Sequence, residues 1–144
     1  GDTATANALD DYEEGTFTPV LDFGGGTTGI TYATQAGKYT KIGNLVTVMW
    51  RIMLSNKGSS TGHAHVSGFP FTLAPITEGV FQYISNRGNL NLGDDHAYLY
   101  FTGSSTRFAF YQGDNDGSGN SATNEVGFEN ATEIEAVMQY MTDA

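Results

Sequence analysis

Oxygen-bearing side chains recur at Asp114, Asp116 and Ser118, Gly119 follows, and Glu125 stands at the twelfth place of the same loop. That is the spacing of a calcium loop, in which hard oxygen donors wrap one cation and a glycine makes the sharp turn. Calcium is the one cofactor the pattern would take. The flanks read as strands instead of helices, and Ser121 stands where an apolar residue normally anchors such a loop. A solvated hairpin loop rich in left-handed turn residues is the alternative. His63 and His65 alternate on a short strand and point to one side, a metal-ligand geometry, although two ligands in one chain are too few. The neighbouring carboxylates Asp10/Asp11, Glu13/Glu14 and Asp94/Asp95 could suggest glycoside hydrolysis, which needs two carboxyl groups flanking one bond. Sequence neighbours on a strand point apart, so these fit turns, caps or intersubunit ion pairs better. No Gly-x-Ser-x-Gly, His-Glu-x-x-His or phosphate-loop site is expected, the Ser-rich loops reading as turns, and no catalytic residue is expected.

A third constellation points to contact. Asp95 to Gln112 reads as a hairpin turning at Gly103-Ser104, with Thr102 opposite Ser105 and Arg107 opposite Tyr100. Alternation then puts Ala97, Leu99, Phe101, Phe108 and Phe110 in the core. The opposite face carries His96, Tyr98, Tyr100, Arg107 and Tyr111, a composition suited to a sugar or a subunit interface. Cover by a second sheet or loop of the same chain is the alternative.

Other elements must position these residues. Gly37 to Leu54 predicts the central hairpin: Val46, Val48, Trp50, Ile52 and Leu54 share one parity and are all apolar, whereas Leu45, Thr47, Met49, Arg51 and Met53 are mixed. Gly43-Asn44 suits a type II′ turn, which sets Ile42 opposite Leu45, Tyr39 opposite Val48, Lys41 opposite Val46, and Gly37 opposite a buried Trp50. Phe17 and Pro19 mark a first, edge strand. Shorter strands are expected around Ile30 to Tyr32, His63 to Val66 and Gly79 to Ser85, with a bend at Phe69-Pro70-Phe71. In the last run Ile134, Val137, Met138 and Met141 fit a helix face, while Ile134, Ala136, Met138 and Tyr140 fit a strand, which the all-β context favours.

The 144 residues suit a single core, and 19 glycines with 9 Phe and 8 Tyr describe short strands and tight turns. The expected class is all-β, an antiparallel β-sandwich of jelly-roll type, with residues 1–14 a flexible lead-in and 15–144 the domain. A net charge of −10 opposes nucleic acid. Without cysteine the chain has no disulfide or thiolate site. The longest apolar run is far short of the roughly 20 residues of a spanning helix, so no membrane insertion is expected, and the chain reads as a soluble, already processed segment.

Asn7-Ala-Leu-Asp-Asp-Tyr-Glu-Glu-Gly-Thr-Phe-Thr-Pro19, then Gly37-Lys-Tyr-Thr-Lys-Ile-Gly-Asn-Leu-Val-Thr-Val48 and Ser67-Gly-Phe-Pro-Phe-Thr72, resembles a module at the C-terminal ends of bacteriophage tail fibre and tailspike proteins. The resemblance covers the first half closely and the second only in style. It implies a compact β-sandwich in a homotrimer at the virion tip, joined to an upstream fibre or spike shaft. The role it implies is trimerisation, contact with a host cell-surface glycan or lipopolysaccharide, or both. It also implies that any enzymatic activity belongs to an upstream β-helix, and that three copies could bring His63 and His65 together around one ion on the three-fold axis. Two rivals remain: a free-standing carbohydrate-binding module and a glycan hydrolase.

Overall fold

A computed structural model describes residues 11–74, 80–84, 86–91, 96–101, 106–113 and 120–143. Eleven strands appear among them: β1 (Tyr12–Phe17), β2 (Val20–Phe23), β3 (Thr31–Ile42), β4 (Leu45–Asn56), β5 (Ala64–Ser67), β6 (Val80–Tyr83), β7 (Asn86–Leu90), β8 (His96–Phe101), β9 (Phe108–Gly113), β10 (Asn120–Ala122) and β11 (Phe128–Met141). Sheet A runs β1-β3-β4-β11-β7 and sheet B runs β2-β5-β9-β8-β6, with β10 added to β9. Every pairing is antiparallel. The inner faces share one core: Val46, Val48, Trp50, Ile52 and Leu54 with Ile134, Ala136, Met138 and Tyr140 from sheet A, against Leu21, Phe23, Val66, Leu99, Phe108 and Phe110 from sheet B. Rings cross the interface edge-on, Phe23 and Phe110 meeting Phe128 at 5.1 and 5.5 Å.

The central hairpin has the expected register, with Ile42 opposite Leu45 and Gly37 opposite Trp50, as far as Thr34 opposite Met53, beyond which it shifts at Tyr32. Gly43 has φ 56° and Asn44 is not left-handed, the pattern of type II′. The last run is strand: Ile134, Ala136, Met138 and Tyr140 are buried, while Val137 and Met141 lie outside. Leu73 and Thr142 bridge, and the Tyr140 hydroxyl donates to the Phe71 carbonyl, clasping the aromatic bend to the end of β11. Burial pushes the Tyr140 phenol up to about 12.

Three expectations need correction. β1 opens at Tyr12, inside the stretch read as a lead-in, because Tyr12, Glu13 and Glu14 pair with Ile42, Lys41 and Thr40. The first strand, marked by Phe17 and Pro19, is two: β1 is an edge of sheet A, β2 an edge of sheet B, and Thr18-Pro19 carries the chain across. A Cβ at Gly68 (φ 86°) would stand 2.3 Å from the Thr18 carbonyl oxygen, so the crossing needs a glycine beside it. The second hairpin is shifted by two residues: Tyr100 faces Ala109, Tyr98 faces Tyr111 and His96 faces Gly113. A shift of two preserves each residue's face, and Ala97, Leu99, Phe108 and Phe110 are buried as expected. The supposed turn at Gly103-Ser104 lies outside the described residues.

Glycine and aromatic residues interlock across β1 and β3. Gly15 pairs with Tyr39 and Phe17 with Gly37. A Cβ on Gly15 would meet the Tyr39 ring at 2.7 Å, and one on Gly37 would meet the Phe17 ring at 2.5 Å. Each ring lies over the other strand's glycine, then continues inward. Phe17 contacts Phe69 at 5.2 Å, Phe69 contacts Trp50 at 6.1 Å, and Tyr39 contacts Phe71 at 5.3 Å.

Trp50→Ala is expected to lower unfolding free energy by about 3–5 kcal/mol in a denaturant titration. Because it is the sole tryptophan, wild-type emission is expected to be blue-shifted and poorly quenched. Gly37→Ala is expected to cost about 1–3 kcal/mol by overpacking against Phe17. The same change in a Phe17→Ala background costs much less, and a double-mutant cycle measures the difference.

Candidate functional site

Sheet B turns a polar, aromatic surface outward. On β9 the side chain of Tyr111 stacks on Tyr98 of β8 at 6.0 Å and 20°, and meets Tyr100 edge-on at 5.3 Å. The chain of rings continues where it was not foreseen. His63, just before β5, meets Tyr111 edge-on at 5.2 Å, and His65 lies 4.5 Å from His63. Arg107, expected opposite Tyr100, instead reaches the other way across the sheet to Asp22 on β2 and His65 on β5. The physical reason is the shifted register: Arg107 precedes β9 instead of lying within it, on the flank that faces β5.

Asp22 is the missed residue of this surface. It is buried, accepts the Gly25 amide and the Arg107 guanidinium at one carboxylate oxygen, and lies 3.6 Å from His65 Nδ1. One signal in the sequence could have found it, a lone acid in the apolar run Val20–Phe23. Arg107 can only donate, so the 2.9 Å contact makes His65 Nδ1 an acceptor and puts the ring proton on Nε2. His63 Nε2 donates to the Phe110 carbonyl at 2.9 Å. One nitrogen of each imidazole is therefore engaged, and Arg107 sets a positive charge beside the pair. Among the described residues no three His, Asp or Glu side chains form a metal-holding group.

Of the tyrosine face, Tyr98 is buried, Tyr100, Tyr111 and Arg107 are half-exposed, and His96 is paired with Gly113 with its side chain outside the described set. Asp114, Asp116 and Ser118 lie outside the described residues. Glu125 is described: its carboxylate accepts the Gly62 amide at 2.6 Å, which holds its pKa below the usual carboxylate range, while its own amide donates to the Gly62 carbonyl. Asp10 and Asp94/Asp95 fall outside the described residues. Glu13 and Glu14 diverge, Glu13 accepting from Tyr39 and Glu14 from Tyr12. The stretch Gly58-Ser-Ser-Thr-Gly62 matches the Gly-x-Ser-x-Gly spelling of a nucleophile elbow. Ser60 nevertheless sits in a loop between strands, where its hydroxyl accepts the Thr28 amide at 2.9 Å.

A two-sheet antiparallel sandwich with a ring-lined outer face is the class this geometry defines, and comparison with known proteins narrows it. The chain is 37% identical over 76 residues, 52% of its own length, to the "Depolymerase, capsule KN4-specific" of Klebsiella phage K64-1. Its fold is similar to part of the crystal structure of the Dettilon tailspike protein, with TM-score 0.69 and 19% identity over 90% of this chain. The chain spans 10% of the depolymerase and 23% of the tailspike. No protein-family model matches the chain.

The surface carries a pH dependence. Desolvation by burial, then the charges of Arg107 and His63, lower the His65 pKa, and Asp22 opposes them only in part. The unfolded chain thus takes up a proton near pH ~6.5, before the folded one does. Stability is expected to be full above that pH and to fall as pH drops from there through the lower folded value. Thermal midpoints from pH 7.5 to 5 measure this, and His65→Gln is expected to flatten the upper part of the curve.

Proposed function

We propose that this chain is a non-enzymatic module of a bacteriophage tailspike or tail fibre, homotrimeric, carried at the virion tip beyond an upstream shaft. In this reading it touches a host cell-surface polysaccharide, of capsule or lipopolysaccharide, through the outer face of sheet B. The observation that carries the contact role is the run of half-exposed rings from Tyr100 through Tyr111 to His63, with the buried Tyr98 stacked on Tyr111 in support. Aromatic faces stack on the apolar C–H faces of sugars while hydroxyl and imidazole tips take hydrogen bonds. The Arg107–Asp22–His65 cluster locks the neighbouring side chains, so that little ordering remains at the moment of binding. The depolymerase and tailspike similarities supply the phage setting.

A second reading, glycan hydrolysis, is favoured by the name of the similar depolymerase. Against it, Glu13, Glu14, Asp22, Glu125 and Glu133 each hold a structural partner: Tyr39, Tyr12, Arg107, Gly62 and Arg51. A free-standing carbohydrate-binding module is the third, and a monomeric mass in solution would favour it.

Binding to purified capsular polysaccharide and to host cells tests the contact role. Tyr100→Ala with Tyr111→Ala is expected to weaken binding by about fivefold or more, at about 0.5–1.5 kcal/mol per ring. No reducing sugar is expected from the wild type. Unchanged binding in the double variant, or sugar release, would remove this reading.

A further inference from the structure

Sheet A leaves its large apolar side chains wet on the outer face. Cross-strand pairing aligns Tyr12, Ile42, Leu45 and Met141 into one row over β1, β3, β4 and β11, and sets Met49 beside Val137 farther along. All six are between 39% and 51% exposed. A single exposed apolar residue means little, but a row of four in register across four strands, with an apolar pair beyond the polar row Glu14, Thr40, Thr47 and Gln139, marks an interaction surface. Between the row and the Met49–Val137 pair lies an open groove of about 600 Å³, lined by Glu14, Thr16, Lys38, Thr40 and Thr47 as well as Met49 and Val137.

We propose that this face is the surface on which copies of the chain associate with one another. Charge selects the occupant. The chain carries −10, so two copies repel over most orientations. Among the described residues the register of β1, β3, β4 and β11 places Glu14, Lys38, Arg51, Glu133 and Glu135 as the charged residues on this face, three anions against two cations, and Arg51 already pairs with Glu133 at 2.7 Å. It is thus a nearly neutral region in an acidic molecule, where identical copies approach without stacking like charges. Lys38 has no ion pair among the described residues, and a second copy can offer it Glu14 from its own groove. The free edge of β1 carries Glu13 and Glu14, which oppose edge-to-edge strand addition and leave face-to-face packing. The inference deepens the homotypic assembly proposed above by naming its face, and it leaves sheet B for the ligand.

Light scattering and sedimentation of the chain over a dilution series test it. The wild type is expected at a multiple of its 15.4 kDa mass. Ile42→Glu and, separately, Met141→Glu are expected to sediment as single chains where the wild type stays associated, with unchanged tryptophan emission. Should a charged variant fail to fold, Ile42→Thr with Met141→Thr keeps the strand and is expected to weaken association at the same concentrations. A wild type that is monomeric throughout overturns both this face and the homotypic reading. A multimer that survives these changes but dissociates on Tyr100→Ala with Tyr111→Ala keeps the homotypic reading and overturns the face. Polysaccharide binding is expected to persist per chain in the dissociated variants.

Discussion

The exchange of rings between β1 and β3 is the contact on which the sandwich depends. Gly15 makes room for Tyr39, Gly37 makes room for Phe17, and both rings lead on to Phe69, Phe71 and Trp50. The three separate stretches on which the sequence resemblance rests are thereby one packed unit. The first supplies Gly15 and Phe17, the second Gly37 and Tyr39, and the third Gly68, Phe69 and Phe71. Each glycine is needed for the space its missing side chain leaves, because a Cβ at any of the three would overlap a ring or a carbonyl. Through this unit the edge strand of one sheet is tied to the loop that feeds the other.

The two outer faces are chemically unlike because the two sheets are built from different pairings. Sheet B places tyrosines, histidines and a shielded Arg–Asp pair side by side, a surface with directional hydrogen-bonding tips and flat apolar rings. Sheet A places aliphatic side chains and tyrosine in a row with few charges, a surface without directional demands. The first suits a polar ligand with stacking faces, and the second suits a flat protein partner.

Much of the fold was legible in the sequence where a turn and a parity pattern agreed. The β3–β4 register followed from Gly43-Asn44 together with five alternating apolar residues, and strand context resolved the last run correctly. The second hairpin shows the limit. Its faces were readable because alternation survives a shift of two, but its register was not, since Gly, Ser and Thr allow several turn placements between residues 102 and 107. The same limit hid the site. Asp22 and Arg107 are 85 residues apart, and only the order β2-β5-β9 brings them together. The apolar row of sheet A was hidden likewise: Leu45 and Met49 read as a partly wet face until β11 set Met141 and Val137 beside them.

The place of β11 has a consequence for how the protein is made. This strand is the last of those described, yet it lies between β4 and β7, in the interior of sheet A. A growing chain therefore displays the long hydrogen-bonding edge of β4, with Trp50 and Ile52 uncovered, until residues 128–141 have left the ribosome. Closure must wait for contacts between distant parts of the chain, which slows folding and prolongs the exposure of sticky edges. Crowded nascent copies would then have an early opportunity for mispairing. In such a protein the strand Phe128–Met141 acts as the latch, and the speed at which the chain between β4 and β11 is synthesised becomes a determinant of yield.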